Sequence, residues 1–330
     1  MVKMTDVARE AGVSTATVSR ALNNHTKVDP ALVDRVRAAA ERLGYRTNHI
    51  ARSLRRQTTD VIALIISDVA NPFFTAVTRG VEDVAQERGY SVLLCNADED
   101  SEKESTYLGV AEQTQVAGVI LSPHRSATDV SRLRGAGTPV VVIDRPLDTD
   151  GDSVMVPSFE GARSATSHLL DSGWTRPAAI VGPAEAATAQ ERLRGFQRAM
   201  SDRGHLDAPF VHAAFRQGGG QEAARVLLDS PTPPDSLFVA NSQMMLGVLA
   251  ELRARNLRIG RDLGVVTFDD PPWAEFMNPS ITAVSQPAYR IGAEAATMLL
   301  DRVAGGAEGE PRHVVLSTSL VVRESSRRLP

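Results

Sequence analysis

Residues 4–23 contain the first side chains whose types and spacing could do chemistry. Two short helical patterns flank Gly12, which can adopt the left-handed conformation that ends a helix, and Ser14 can cap the second pattern. Apolar residues recur at helical spacing within both patterns, at Val7, Ala8, Ala11, Val18, Ala21 and Leu22. The other face of the second pattern carries Thr15, Ala16, Thr17, Ser19 and Arg20. This combination predicts a helix-turn-helix unit that reads the major groove of DNA, although an ordinary helical hairpin is the alternative for this stretch alone.

The charge distribution supports the nucleic-acid interpretation. The whole chain of 330 residues has a net charge of -4, but residues 1–57 carry 11 Lys or Arg and only 5 Asp or Glu. The rest of the chain carries 25 basic and 35 acidic residues. A basic head on an acidic body is the pattern expected for a DNA-binding module joined to a domain with another task.

Two further segments complete the predicted head. Asp29 and Pro30 can start a third helix with an apolar stripe, and Gly44 can end it. Residues 47–58 follow, with a small apolar face surrounded by arginines. Because short isolated helices are marginal in water, we expect this linker to form a helix only when two copies meet on DNA.

From Val61 onward, apolar strand patterns alternate with amphipathic helices, and a similar series starts again near Phe159. This alternation predicts parallel sheets with helices on both faces. We therefore predict an α/β protein with a three-helix helix-turn-helix head and two doubly wound lobes. Ligands of such sheets lie at the carboxyl ends of the strands, so a cleft between the lobes is the expected binding site.

The chain resembles the lactose/galactose repressor family of bacterial transcription factors. The resemblance rests on five motifs in the family's order: TDVAREAGVSTATVSRALN, VDPALVDRVRAAAERLGYRTNHIARSLR, NPFFTAVTRGVEDVAQERGY, RLRGFQRAM and TFDD. It implies lobes of the periplasmic-binding-protein-like type that close on a small effector, most simply a sugar or sugar derivative. It also implies a homodimer whose two heads bind a near-palindromic operator in double-stranded DNA.

The resemblance also assigns roles within the head and linker. Thr15, Ala16 and Arg20 match base-reading positions, and arginine can fork to the O6 and N7 atoms of guanine. Ser14, Thr17, Ser19, Asn23 and Lys27 match positions that contact phosphates and fix register. Leu54 matches a leucine that enters the minor groove and bends the duplex, with Ala51 beside it and Arg55 near the backbone.

In the cleft, the resemblance assigns hydrogen bonding with a hydroxylated ligand to Asp144, Arg192, Asn241 and Asp269. The residues that correspond to ligand-lining or stacking positions are Asn71, Phe73, Phe74 and Phe215. Singly, a polar residue at a strand end could equally be a helix cap. Their recurrence at the same end of successive strands favours a ligand site.

Several positions depart from the family pattern. Pro157 and Ser158 stand where Asp-Asn is common, and Ser242 stands where Asp is usual. Ala213 and Ala214 replace the usual Gly-Asp, and a position that is often aromatic is Ala288. The departures fall in the cleft and not in the head, so the effector is the part of the interpretation that they leave open.

The boundaries that we predict are 1–46 for the head, 47–58 for the hinge helix and 59–330 for effector binding and dimerisation. Within the last region, the N-lobe comprises about 59–156 and 287–316, and the C-lobe about 157–286 and 317–330. No heptad-patterned segment follows the last strand, so we expect dimers instead of tail-joined tetramers.

Other functions remain as alternatives. A nucleoside-responsive regulator of the same family is one, and a stand-alone sugar-binding protein or an enzyme would belong to a different class. Catalytic signatures such as HExxH, GxSxG, a Walker loop or a CxxC pair are absent, so we expect no enzyme activity, catalytic residue, metal or cofactor. No apolar signal segment begins the sequence and no long apolar run occurs, which favours a cytoplasmic protein without a membrane partner.

Overall fold

The computed structural model describes residues 2–22, 29–45, 59–305 and 309–328. The chain divides into two compact units, Met1–Gln57 and Thr58–Pro330. The predicted fold class is confirmed: the described part of the first unit contains three helices, and two parallel-sheet lobes form the second unit.

The first unit contains α1 (Met4–Ala11), α2 (Thr15–Leu22) and α3 (Pro30–Arg42). Gly12 has a φ of 63°, the left-handed conformation that the turn requires. The Ser14 hydroxyl accepts a hydrogen bond from the Thr17 N–H at 3.1 Å, and the Asp29 carboxylate accepts one from the Ala31 N–H at 2.9 Å. Both caps form because short polar side chains can satisfy N–H groups that have no partner within the helix.

The first lobe contains a sheet in the order β11-β5-β4-β3-β1-β2, with all strand pairs parallel. Its strands are β1 (Val61–Ile66), β2 (Ser91–Asn96), β3 (Gly118–Leu121), β4 (Val140–Ile143), β5 (Ser153–Met155) and β11 (His313–Val315). Its helices are α4 (Pro72–Glu87), α5 (Ser101–Gln113), α6 (Ser131–Gly135) and α11 (Ala288–Val303). Alternate residues of β1 belong to two separate apolar clusters, so the sheet is covered on both faces.

The second lobe repeats this arrangement in the order β12-β10-β9-β8-β6-β7, in which only β12 is antiparallel to its neighbour. Its strands are β6 (Pro177–Val181), β7 (Phe210–His212), β8 (Ser236–Val239), β9 (Gly264–Phe268), β10 (Thr282–Ser285) and β12 (Ser319–Val321). Its helices are α7 (Ser158–Asp171), α8 (Ala187–Ser201), α9 (Gln217–Leu228) and α10 (Ser242–Ala254).

The chain passes between the two sheets at three places. These are the steps from β5 to α7, from β10 to α11 and from β11 to β12. Strands β5 and β7 have three residues each and are not evident in the apolar pattern of the sequence. Such short strands bury too few side chains to produce a period-2 signal.

Candidate functional site

Asp144 and Asp269 occupy equivalent places in the two lobes. Asp144 directly follows β4 and Asp269 directly follows β9, and both have left-handed backbones, with φ of 64° and 70°. Their side chains are each 7% exposed. Burial raises the pKa of both carboxyls, and the guanidinium of Arg192 acts in the opposite direction on each. Non-glycine residues in this conformation are strained, and such strain concentrates at functional sites.

Arg192 extends from α8 towards these two carboxylates. Its side chain is buried, its Nη1 donates to the Ala240 carbonyl at 2.6 Å, and its guanidinium carbon lies 3.8 Å from the centroid of the Phe268 ring. Its Nε makes no hydrogen bond with any described residue. Burial lowers the pKa of Arg192, whereas Asp269 and Asp144 stabilise its charged form. A buried guanidinium with a donor to spare is suited to a hydroxyl oxygen of a ligand.

Asn71 and Asn241 cap helices. The Asn71 Oδ1 accepts the Phe73 N–H at 3.0 Å at the start of α4, and the Asn241 Oδ1 accepts the Met244 N–H at 2.8 Å at the start of α10. The cap alternative is therefore correct for both oxygens. Each amide also lines the same cavity as the aspartates, so capping and lining occur together.

Three phenylalanines form the apolar part of the site. Phe73 and Phe74 pack edge to face with ring centroids 5.0 Å apart. Phe215 lies against Gly182, where an added Cβ would come within 2.0 Å of the ring, so only glycine leaves room for this aromatic side chain. The Phe215 ring also lies 5.5 Å from the guanidinium carbon of Arg145, a residue of the other lobe.

All eight cleft residues predicted from the sequence line a single cavity: Asn71, Phe73, Phe74, Asp144, Arg192, Phe215, Asn241 and Asp269. The same cavity is lined by five residues that the sequence did not indicate: Asp68, Glu99, Arg145, Thr188 and Gln286. One sequence feature could have indicated Arg145 as a lining residue, because it directly follows Asp144 at the end of a strand. Gln286, which donates from Nε2 to the Asp269 Oδ1 at 2.5 Å, had no such feature.

These side chains leave little free space in the cavity. Its free volume is about 20 Å³, enough for about one water molecule. The lobes also touch outside it. Arg216 donates from Nη2 to the carbonyl and to the Oδ1 of Asp98, both at 3.0 Å, and the Gln243 Nε2 donates to the Ala70 carbonyl at 2.7 Å. The free volume in this conformation is smaller than a molecule of sugar size.

Two of the departures from the family pattern leave buried hydroxyls. Ser158 and Ser242 are 5% and 1% exposed, and the Oγ of each lacks a hydrogen-bond partner among the described residues. Buried polar atoms without a partner are uncommon in folded proteins.

The head presents a polar surface on α2. Ser14, Thr15, Ala16 and Arg20 are exposed, and Thr17 and Ser19 are half-buried, whereas Val18 and Ala21 are fully buried in the head's core. The remaining predicted DNA-contacting residues are Asn23, Lys27, Ala51, Leu54 and Arg55, and these lie outside the described residues.

Within the described ranges, no cluster of His, Cys, Asp or Glu has the arrangement of a metal site. No helix in those ranges has the length and apolar character needed to cross a membrane.

The fold and the cleft define a class of protein: a two-lobed binding module of the periplasmic-binding-protein-like type, preceded in the chain by a helix-turn-helix head. Residues 3–48 match the family described as bacterial regulatory proteins, lacI family, and residues 166–326 match the periplasmic binding protein-like domain. The chain belongs to the lacI family of bacterial regulatory proteins. It is accordingly a DNA-binding repressor controlled by an effector.

Curated relatives match over nearly the full length. The ribose operon repressor of Escherichia coli K12 is 36% identical over 310 residues, which cover 92% of this chain and 93% of the relative. The repressor CytR of the same organism is 32% identical, over 99% of this chain and 97% of the relative.

Solved structures agree. The lac repressor dimer bound to operator and the anti-inducer ONPF has a TM-score of 0.87 and 25% identity, covering 98% of this chain and 99% of that one. A lacI-family regulator from Enterococcus faecium with bound ribose has a TM-score of 0.73 and 27% identity, covering 82% of this chain and 100% of that one.

Proposed function

We propose that the protein represses transcription as a homodimer that binds a pseudo-palindromic operator and responds to a small carbohydrate, with ribose as the first candidate. One observation carries the effector part: eight side chains predicted from separate stretches of the sequence line one polar, partly aromatic cavity between the lobes. Carboxylates accept hydrogen bonds from ring hydroxyls, the amides and guanidinium donate, and the phenylalanines pack on the apolar ring faces.

The ribose assignment is supported by two relatives. One is named ribose operon repressor, and one solved structure holds ribose. Asp144, Arg192, Asn241 and Asp269 are the residues that we assign to hydrogen bonding with the hydroxyls. Asn71, Phe73, Phe74 and Phe215 are the residues that we assign to lining the ligand.

We assign DNA recognition to the exposed face of α2. Thr15, Ala16 and Arg20 read bases in the major groove, and Ser14, Thr17, Ser19, Asn23 and Lys27 hold phosphates. In the proposed hinge helix at 47–58, Leu54 and Ala51 enter the minor groove and Arg55 lies near the backbone. The proposed boundaries are 1–46 for the head and 59–330 for effector binding and dimerisation, and the proposed site of action is the cytoplasm.

The proposed control is a coupling between cleft and hinge. Effector binding changes how far apart the two hinges of a dimer lie, and two hinge helices form side by side only at one spacing. A coupling of about 1–3 kcal/mol is typical of allosteric proteins and is enough to change operator occupancy strongly. Whether the effector releases the operator or promotes its binding depends on which spacing the liganded lobes favour.

The test has two stages. Selection from random duplex DNA should yield a near-palindromic site, and the pure protein should prefer it to a scrambled duplex at moderate salt. Ribose, other sugars and nucleosides are then added, and operator affinity is followed by fluorescence anisotropy while the melting temperature reports effector binding. A protein with no preference for any symmetric duplex, with or without these compounds, would refute the proposal. A response to a nucleoside alone would replace the carbohydrate.

A further inference from the structure

The cleft contains a second guanidinium, that of Arg145, which is almost completely buried. Its side chain is 4% exposed and lies between the lobes, above the Phe215 ring. Burial opposes its charge, but Glu99 and Asp144 outweigh that effect and raise the pKa of Arg145. A buried arginine in a ligand cavity is the usual binding group for a phosphate, because its fork of N–H donors matches phosphate oxygens.

The Nη1 and Nη2 donors of this guanidinium are already occupied, whereas its Nε has no hydrogen-bond partner among the described residues. The Arg145 Nη1 donates to the Glu99 Oε2 at 2.8 Å, and its Nη2 donates to the Glu99 Oε1 at 2.5 Å. The Pro123 carbonyl lies 3.4 Å from Nη1, and the Asp144 Oδ2 lies 3.5 Å from Nε. The paired geometry with Glu99 is the one that a phosphate would otherwise adopt.

Glu99 is held in place by the backbone around it. Its N–H donates to the Ser67 carbonyl at 2.9 Å, and Asp98 and Glu99 both have left-handed φ values, of 62° and 55°. Asp100 then caps α5 by accepting the N–H groups of Glu102 and Lys103. The Glu99 carboxylate is therefore presented by a fixed turn, and its exposed fraction is only 17%.

The other ionisable side chains of the cavity do not compensate for the negative charge of Glu99. Arg192, the other guanidinium, donates to the Ala240 carbonyl and faces Asp144 and Asp269. The ionisable lining residues are four carboxyls and two guanidiniums: Asp68, Glu99, Asp144, Asp269, Arg145 and Arg192. A phosphate ester, with about -1.5 to -2 charges at neutral pH, meets a surplus of acidic groups, and the paired Nη1 and Nη2 donors of Arg145 are already taken by Glu99. Sugar hydroxyls can donate to the same carboxylates.

We infer that Glu99 determines specificity in this cleft: by occupying Arg145 it makes the site accept an uncharged sugar and reject the phosphate ester of that sugar. This inference rests on the proposed carbohydrate-responsive function. It predicts that the effector is an uncharged sugar. It also assigns the discrimination between sugar and phosphate ester to Glu99, a residue that the sequence motifs do not indicate.

The test compares three variants with the native chain. Glu99→Gln removes the carboxylate charge while retaining side-chain volume. Glu102→Gln makes the same charge change three residues away, on the exposed start of α5. The double variant Glu99→Gln with Arg145→Met removes the guanidinium as well. Calorimetry measures D-ribose, D-glucose and D-fructose, each beside its phosphate ester, and circular dichroism checks that every variant is folded.

The native chain should bind one parent sugar at least about ten-fold more tightly than its ester. Glu99→Gln should reduce or reverse that ratio by about ten-fold or more, because a freed guanidinium gains a charge-assisted pair with phosphate. Glu102→Gln should leave the ratio unchanged, and the double variant should lose the gain. Native binding of an ester as tight as that of its parent sugar overturns the inference, as does an unchanged ratio in Glu99→Gln.

Two additions keep the result interpretable. If Glu99→Gln does not fold, Glu99→Ala is used instead, and it should show the same reduced or reversed ratio because it also frees the Nη1 and Nη2 donors of Arg145. If no sugar or ester binds the native chain, the carbohydrate proposal fails. Inorganic phosphate at constant ionic strength then tests Glu99 separately. Phosphate should raise the melting temperature of Glu99→Gln and not of the native chain, and equal responses would refute the role of Glu99.

Discussion

At the scale of single residues, the cleft depends on side chains with more than one task. Asn71 and Asn241 cap helices with their oxygens and line the cavity with the same side chains. Asp144 and Asp269 end equivalent strands in a left-handed conformation. A strained backbone at a ligand-lining position persists only when its surroundings hold it.

Arg192→Ala should weaken effector binding by at least about ten-fold while operator affinity without effector stays unchanged, since α8 belongs to the second lobe and not to the head. The melting temperature should also fall, because Asp269 would lose the cation that faces it and Asp144 would keep only Arg145. Calorimetry and anisotropy measure the two affinities. Arg194→Ala, on the same helix but 62% exposed, is the matched control. Native-like effector binding by Arg192→Ala would contradict its assignment.

Arg20→Ala should relax specificity at one base pair of the operator by about 1–3 kcal/mol, because a guanidinium that forks to guanine carries sequence information. Binding to a panel of single-base operator variants, measured at one fixed salt concentration, tests this. Arg42→Ala removes an equal charge from α3, where Arg42 pairs with Glu10 at 3.2 Å. Equal losses on operator and random DNA would indicate that Arg20 holds a phosphate and reads no base.

At the scale of elements, one buried carboxylate joins three segments of the first lobe. Asp152, just before β5, accepts from the Nη2 of Arg302 on α11 and from the Nη2 of Arg312 before β11, both at 2.7 Å. Burial opposes the ionisation of Asp152, but the two arginines outweigh it and hold the pKa of this carboxyl well below its ordinary value of 3.8. These contacts lie at the place where the chain has returned from the second lobe and β11 pairs with β5 of the first sheet.

Asp152→Asn should lower the free energy of unfolding by about 2 kcal/mol at pH 7. A carboxyl whose folded pKa is depressed stabilises the fold above its unfolded pKa, and this contribution is lost as the pH falls below that value. The difference in stability between native and variant chains should therefore begin to narrow below about pH 4 and vanish as the pH falls through the depressed pKa of the folded state. Urea denaturation of the chain at several pH values measures it. Asp150→Asn, at a position 76% exposed, is the control. A difference independent of pH would show that the effect is only packing.

At the scale of the whole effector-binding unit, side chains of the two lobes contact each other across the cleft. Three chain segments connect the two sheets. Across the cleft, Arg216 contacts Asp98 and Gln243 contacts Ala70. A cavity of about 20 Å³ makes lobe separation a step in effector entry and release. Contacts across the mouth of the cleft should therefore act on rates more than on the stability of either lobe.

Arg216→Ala should accelerate effector release by about two- to five-fold, the range expected for loss of an exposed ion pair, with little change in melting temperature. Stopped-flow dissociation measures this rate. Arg198→Ala removes an arginine of similar exposure that pairs with Asp202 inside one lobe. If both variants release the effector at the native rate, the contact with Asp98 does not hold the cleft shut.

The homodimer that we propose can be tested by its mass in solution. Light scattering of the pure chain should give twice the mass of one chain, because two heads must bind the halves of a palindromic site together. The mass should not change between low and high micromolar concentrations. A tetrameric mass would contradict this prediction.

Local patterns in the sequence determined the local structure. The run VIALII predicts β1, Gly12 and Ser14 predict the turn and cap of the head, and the alternation of strands and helices predicts two parallel-sheet lobes. These features depend on residues close in the chain, where spacing and side-chain type decide backbone geometry. The motifs also indicated eight of the thirteen residues that line the cavity.

Only the tertiary structure decided which distant groups meet. Glu99 after β2, Arg145 after β4 and Phe215 from the other lobe come together because of the strand order and the three crossings between lobes. No local spacing encodes those relations. The sequence could place polar residues at the ends of strands, but the occupation of Arg145 by Glu99, the left-handed aspartates and the closed cleft arise from packing between segments far apart in the chain.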